Sequence, residues 1–441
     1  MLVAVLLVLA LVAAACSSSG DDSGGGDEGA TSDTGGAPGA ADGGNTTGVT
    51  DDTIKIAAYV NDNAELADIG FAVEIGDTTE QFETFFGGME VGGRQVELTT
   101  HPFSSINVET QADACLQATQ DEEAFMVVSL GGARPETILC TTEENETIYL
   151  ASNAADTDTF DRSSGRLFST TLDFRENMRE AVKVFDDRGD LEGKTIGVFT
   201  TNETTESELI YQEGLKPALE EAGYEVAEEV VLPCPPGSCE QTEAGVQRMV
   251  DAGVDAVFTT INMVSFTSVV SAGAEVGFEP QYFATSVGNA EADVLAQRME
   301  GAGDAYGGAL LVTTAPREWT LPDPVEPEFG QECNERYAEE TGKPVAPWGD
   351  PDDAGWGAIT TICSLAEQTQ AAFEAVGDDL TQERFIEAME GLSDFQVNNV
   401  GNTGSYGPDK HWAGDFVNVL VYDLDCFCWV AEDGEAIPIG G

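Results

Sequence analysis

Positive charge is what this chain has least of: 18 Lys and Arg stand against 81 Asp and Glu, a formal net charge of −63. A field of that sign repels phosphate backbones and anionic lipid surfaces. It excludes nucleic-acid binding and reads as a solvated acidic surface suited to a salty medium. Histidine is nearly absent: His101 and His411 stand alone and lack the spacing of a metal pair. Neither lies near a Ser or Cys in a nucleophile elbow, which disfavours an exported hydrolase. The phosphate loop is missing too, since Gly189–Thr195 has three residues between its glycines and precedes its strand instead of following it. Gly404-Ser405-Tyr406-Gly407 lacks the earlier glycine of a nucleophile elbow. Asp156, Asp158 and Asp161 approach the spacing of a calcium loop, but Phe160 takes the third ligand position and no glycine turn follows. No cofactor, no metal and no catalytic residue is expected.

Apolar runs long enough to span a membrane are also lacking. Met1–Ala15 is apolar throughout but shorter than the ~20 residues a span needs. It ends in small residues before Cys16 and turns at once to Ser and Asp, which resembles the lipobox of bacterial lipoproteins. That resemblance implies cleavage before Cys16 and its acylation, a stable anchor at about 0.8 kcal/mol per buried CH₂. No Lys or Arg precedes the run, a departure from the pattern that points to a true start upstream. Residues 17–50, nearly all Gly, Ser, Asp, Thr and Ala, then form a flexible tether with nothing to seed a core. Its typical reach is about 30 Å.

Nine cysteines, less Cys16, leave an even number in an exported chain, so disulfides are expected. Cys115 and Cys140 fall on successive helical stretches with one strand between. Cys234 and Cys239 staple a short loop, and Cys333 and Cys363 bracket a loop between two helical stretches. Cys426 and Cys428 lie two apart on an expected strand, where side chains point to opposite faces, so their direct pairing is not expected.

The length allows two domains of about 150–200 residues, and 41% apolar content is ordinary for a globular chain. Apolar, β-branched runs at Thr53–Val60, Gln95–Thr100, Ala124–Ser129 and Thr147–Leu150 alternate with helical stretches at Phe71–Phe86, Glu109–Gln120 and a third through about Thr142. Phe168–Thr171 reads as a connection out of this unit. The pattern then restarts. A helical face with Met178, Ala181, Val182 and Phe185 leads to the strand Lys194–Phe199 and the helix Glu206–Ala222. Strands follow at Glu225–Leu232, Asp255–Thr260 and Gln281–Ala284. Such alternation specifies right-handed crossovers and parallel sheets. Ala309–Thr314 is extended. Helices over Glu328–Thr341, Ala354–Val376 and Thr381–Gly391 then return to cover the first sheet, before closing strands at Val417–Tyr422 and Cys426–Ala431.

In order and spacing, Gly48–Ile56, Gly92–Leu98, Phe125–Ser129 with its following glycines, and Leu191–Val198 resemble the type 1 periplasmic binding proteins of the leucine/branched-chain amino-acid class. The resemblance implies an α/β fold of two doubly wound, Rossmann-like parallel-sheet lobes with a ligand cleft between them. We expect residues 51–169 with 314–397 as lobe 1 and 170–313 with 398–441 as lobe 2. The crossing strands then lie near Phe168–Thr171, Leu310–Thr314 and Val397–Thr403. The resemblance further implies a Cys115–Cys140 disulfide. It places ligand contacts at Ser129, Leu130, Gly131, Ser152, Asn153 and Ala154 from lobe 1, and at Thr201, Asn202 and Ser286 from lobe 2. Small hydroxyl and amide groups supply directional hydrogen bonds without bulk. Thr201-Asn202 stands where such binders often carry an aromatic residue, and Ser286 where they often carry an acid. The implied ligand is therefore a carboxylate, amide or polyol as readily as an amino acid. The function implied is that of a monomeric, membrane-anchored, extracytoplasmic solute-binding subunit of an ABC transporter. A ligand-sensing receptor subunit is the alternative.

Overall fold

The computed structural model of the protein describes residues 44–65, 75–152, 155–202, 205–235, 238–287, 290, 296–314, 327–345, 355–397, 403–432 and 434–439. All of them fall in one compact unit, Ala40–Gly441. The expected signal segment, Cys16 and most of the tether lie outside the described residues.

The first sheet is built from β1 (Thr53–Asn61), β2 (Glu90–Val91), β3 (Arg94–Phe103), β4 (Met126–Ser129), β5 (Ile148–Ala151) and β6 (Leu167–Ser169), in the order β2-β3-β1-β4-β5-β6. All neighbours are parallel except the β2–β3 hairpin. Its strands alternate between two apolar faces, as a period of two requires. Ile54, Ile56, Ala58 and Val60 pack on one side with Met126, Val128, Ile148 and Leu150. Ala57, Tyr59, Val127 and Tyr149 pack on the other, with Ala114 and Ile138. The first face is covered by helices from far along the chain, Glu328–Thr341, Trp356–Val376 and Gln382–Glu390, through Cys333, Ile359, Ile362, Phe373 and Phe385. Phe168, read from the sequence as part of a connection, belongs to β6, a three-residue strand too short to show a periodicity.

The second sheet repeats the plan. β7 (Ile196–Thr201), β8 (Val226–Leu232), β9 (Ala256–Thr259), β10 (Gln281–Thr285) and β11 (Leu310–Thr313) run parallel in the order β8-β7-β9-β10-β11. Leaving aside the hairpin strand β2, each sheet thus has its first parallel strand between its second and third, the arrangement of the flavodoxin-like doubly wound fold. Helix Phe174–Asp187 and the helical stretch over 205–221 cover one face, through Met178, Phe185, Tyr211 and Leu219. Helices Thr242–Asp251 and Met263–Val276 cover the other, through Val246, Met249, Phe266 and Val270. After β11, β12 (Phe395–Gln396) and β13 (Thr403–Gly404) form a small ribbon. Then β14 (Phe416–Asp423) pairs antiparallel with β11, and with β15 (Cys428–Ala431) and β16 (Ile437–Pro438) at its other side.

The chain passes between the two sheets where three segments meet. Ser169 N–H donates to His411 O at 2.9 Å and Ala413 N–H to Ser169 O at 2.7 Å. A methyl group on Gly414 would lie 3.4 Å from Thr314 Cγ2 and 3.9 Å from Leu172 Cδ2. Ala413 thus lies against Ser169, and Gly414 beside Thr314 and Leu172. Val397, Tyr406 and Ala413 pack in the first core, while Trp412 packs against the second and Val417 is buried in it. Residues 398–402 lie outside the described residues.

Four disulfides are formed: Cys115–Cys140, Cys234–Cys239, Cys333–Cys363 and Cys426–Cys428. The last corrects the expectation from strand alternation. β15 begins only at Cys428, Cys426 lies in the preceding turn, and Phe427 has φ +52°, so the two side chains are not on opposite faces of one strand.

Candidate functional site

In open parallel sheets, small ligands meet the loops at the carboxyl ends of the strands, where neighbouring crossovers leave in opposite directions. Here those positions are the ends of β1 and β4 in the first sheet and of β7 and β9 in the second.

At the first, β4 ends in Ser129 and continues as Leu130-Gly131-Gly132. Gly131 and Gly132 have φ of +116° and +83°, values that side chains rarely adopt. Three polar pins hold this loop. Ser129 Oγ accepts from Gly131 N–H at 3.0 Å, Ser152 Oγ donates to Leu130 O, and Asn61 Nδ2 donates to Gly131 O at 2.9 Å. Ser152 N–H also donates to Ser129 O at 3.2 Å. Ser129 is fully buried. So Ser129 and Ser152, expected as ligand contacts, shape the loop, and Leu130 is the half-exposed residue between them. Gly131 is buried and Gly132 exposed. Asn153 and Ala154 lie outside the described residues. Beneath the loop, burial pushes the phenol of Tyr149 far above its ordinary range and keeps it neutral.

At the second position the edge is a row of hydroxyls. β7 ends in Thr200-Thr201, β9 leads through Thr259 to Thr260, β10 through Thr285 to Ser286, and β11 through Thr313 to Thr314. Thr200 and Thr260 hydroxyls meet at 2.8 Å, and Ser286 Oγ donates to Thr313 Oγ1 at 2.9 Å, tying strand end to strand end. Thr201 is buried as the last residue of β7, and Asn202 just beyond it is exposed. Ser286 is half-buried. No Lys, Arg, Asp or Glu stands in these strand-end dipeptides. Among the described residues no group of acids, histidines and cysteines is arranged to hold a metal ion.

Asn61, Gly132, Thr260 and Thr313 were not among the expected contacts. The repetition of hydroxyl pairs at four successive strand ends was a signal present in the sequence. That Asn61 reaches the β4 loop depends on β1 and β4 being neighbours, which sequence order conceals.

The family model described as periplasmic binding protein matches residues 53–419, which takes in the first sheet and all the parallel strands of the second. The chain belongs to this family. Its members are binding proteins, and the family description places them outside the cytoplasm. Among the described residues no helix is long and apolar enough to cross a membrane. Similar solved structures include a solute-binding protein of an R. palustris ABC transporter in complex with 4-hydroxybenzoate, 17% identical, covering 88% of this chain and 98% of that one at a TM-score of 0.62. A leucine-binding protein from Thermotoga maritima is 16% identical over 87% of this chain and 99% of its own, at 0.62. An ABC transporter substrate-binding protein from Sphaerobacter thermophilus is 15% identical over 88% and 98%, at 0.63. At these identities the likeness is one of fold, and it is the type 1 periplasmic-binding fold. No curated protein matches the sequence.

Proposed function

We propose that the protein is an extracytoplasmic solute-binding protein that delivers a small polar ligand to an ABC-transporter permease. The observation that carries this reading is the repetition of one topology in two sheets, each presenting small polar groups at its switch point. The chain passes three times between them, at Leu172, Thr314 and Gly414. On this reading the protein has two lobes, residues 51–169 with 314–413 and 170–313 with 414–441, the expected break at 397/398 being moved to Ala413 because Ala413 still packs in the first core. The three passes are the hinge. A ligand touching both strand-end edges favours the closed state by the contacts it gains only there. The first lobe offers backbone amides from the Ser129–Gly132 loop. The second offers uncharged hydroxyls and Asn202. Solved relatives of the same fold hold 4-hydroxybenzoate or are named for leucine, and a carboxylate, amide or polyol suits these donors. The body works as a monomer, tethered through residues 17–50 to an acylated Cys16.

Thermal unfolding of ligand-stripped protein against amino acids, aromatic acids, amides and polyols tests the reading. A ligand at about 100 times its Kd stabilises by about 2.7 kcal/mol and raises the melting temperature by several degrees. No shift with any compound, in protein shown to be folded, overturns it. Mass spectrometry of membrane-extracted protein tests the anchor, since an unacylated Cys16 refutes it.

A further inference from the structure

The loop after β4 is pinned so that one peptide group has a defined direction. Asn61, at the end of β1, donates from Nδ2 to Gly131 O at 2.9 Å. Among the described residues there are no cis peptide bonds, and across a trans peptide the N–H points opposite to the C=O. With the Gly131 carbonyl drawn to Asn61, the Gly132 N–H faces the other way, at an exposed residue. The neighbouring amide is committed elsewhere, since Gly131 N–H donates to Ser129 Oγ. Space is tight on the pinned side: a methyl on Gly132 would stand 2.7 Å from Asn61 Nδ2 and 3.3 Å from Ser105 Oγ. The nearby acids are turned to other groups. Asp62 accepts from Ala64 N–H at 3.0 Å, and Glu65 accepts from Ser104 Oγ and Asn107 Nδ2.

We propose that Asn61 is a positioning residue for the ligand site: by holding the Gly131 carbonyl it aims the Gly132 amide outward as the donor for the carboxylate end of the ligand. This rests on the solute-binding reading and narrows it to ligands with a carboxylate, held in the first lobe by a charge-assisted hydrogen bond to fixed backbone. The uncharged hydroxyl edge of the second lobe then meets the ligand's neutral end.

The test uses the full chain labelled with ¹⁵N-glycine, with 4-hydroxybenzoate and leucine as probes and 4-hydroxybenzamide and leucinamide as their counterparts without the carboxylate. We expect at least one carboxylate to move the Gly132 amide resonance and to bind tenfold or more tighter than its amide. Asn61→Ala and Asn61→Leu should both erase that preference by weakening the carboxylate at least tenfold while leaving the amide unchanged. The Leu variant matters because it preserves size without a donor or an added charge, so a role in packing alone would survive it. If the probes or other solutes bind but leave Gly132 unmoved, or if carboxylate and amide bind alike, the proposal falls and the solute-binding reading stands. If no solute of the wider panel binds to folded protein, both fall.

Discussion

Asp173 shows how one side chain at the crossing sets a local pH dependence. It caps the helix Phe174–Asp187, accepting from Glu176 N–H at 2.7 Å and from Thr157 Oγ1 at 3.1 Å. Burial raises its pKa above the ordinary carboxylate value, and its hydrogen bonds only partly offset that. A carboxyl whose folded pKa is raised binds its proton more tightly in the folded state. Its contribution is therefore fully present below the ordinary value and lost as pH rises through the raised one. Asn keeps both hydrogen bonds, since its Oδ1 can cap Glu176 and its Nδ2 can donate to Thr157, and it carries no buried charge. Asp173→Asn should melt roughly 1–2 °C above the wild type at pH 7, and the gap should shrink towards pH 3. A gap that is constant with pH refutes the assignment. Ser129 marks the limit of reading at this scale. Its hydroxyl is of the expected kind at the expected strand end, but only the fold shows that it is fully buried and committed to Gly131.

Among elements, the disulfide Cys115–Cys140 ties helix Val108–Leu116 to the end of the helix that precedes β5, closing a loop of 25 residues beside the β4 loop. A loop of that length constrains the unfolded chain by roughly 3 kcal/mol. Replacing both cysteines with serine should lower stability by about that much in urea unfolding, and full retention of stability would refute a structural role. The strands were legible wherever an apolar run was long enough to be buried on both faces: Thr53–Val60 became β1 extended to Asn61, and Asp255–Thr260 contains β9. The three helices from Glu328 to Glu390 were read to within two residues at each end, because glycines and a proline punctuate them. β2, β12, β13 and β16 were missed, having two residues each, and β6, with three, was legible only as the crossing near Phe168–Thr171. The Cys426–Cys428 bond was misjudged because a left-handed residue, Phe427, interrupts the alternation on which the reading relied.

The whole molecule carries its charge as a constraint on stability. With 18 Lys and Arg against 81 Asp and Glu, most carboxylates have no cation to meet. The ion pairs that do form among the described residues are mainly exposed, such as Arg162 with Glu143 and Asp158, and Arg336 with Glu340. Exposed pairs contribute at most about 1 kcal/mol each, so they leave the net repulsion of −63 largely uncompensated. Unfolding spreads those charges apart and relieves the repulsion, which makes the compact state sensitive to screening. The Debye length falls from about 30 Å at 0.01 M to about 3 Å at 1 M salt. Melting temperature should therefore rise steeply with NaCl over that range, and most of the gain should be complete once the Debye length drops below the ~10 Å spacing typical of neighbouring surface charges. Guanidinium chloride and urea separate this from a general salting-out effect. The guanidinium salt screens charge as it denatures, so its unfolding midpoint should exceed the usual half of the urea midpoint. A melting temperature flat from 0.01 M to 1 M NaCl, together with an ordinary ratio of midpoints, would show that the acidic surface is spaced widely enough for the fold to be indifferent to it.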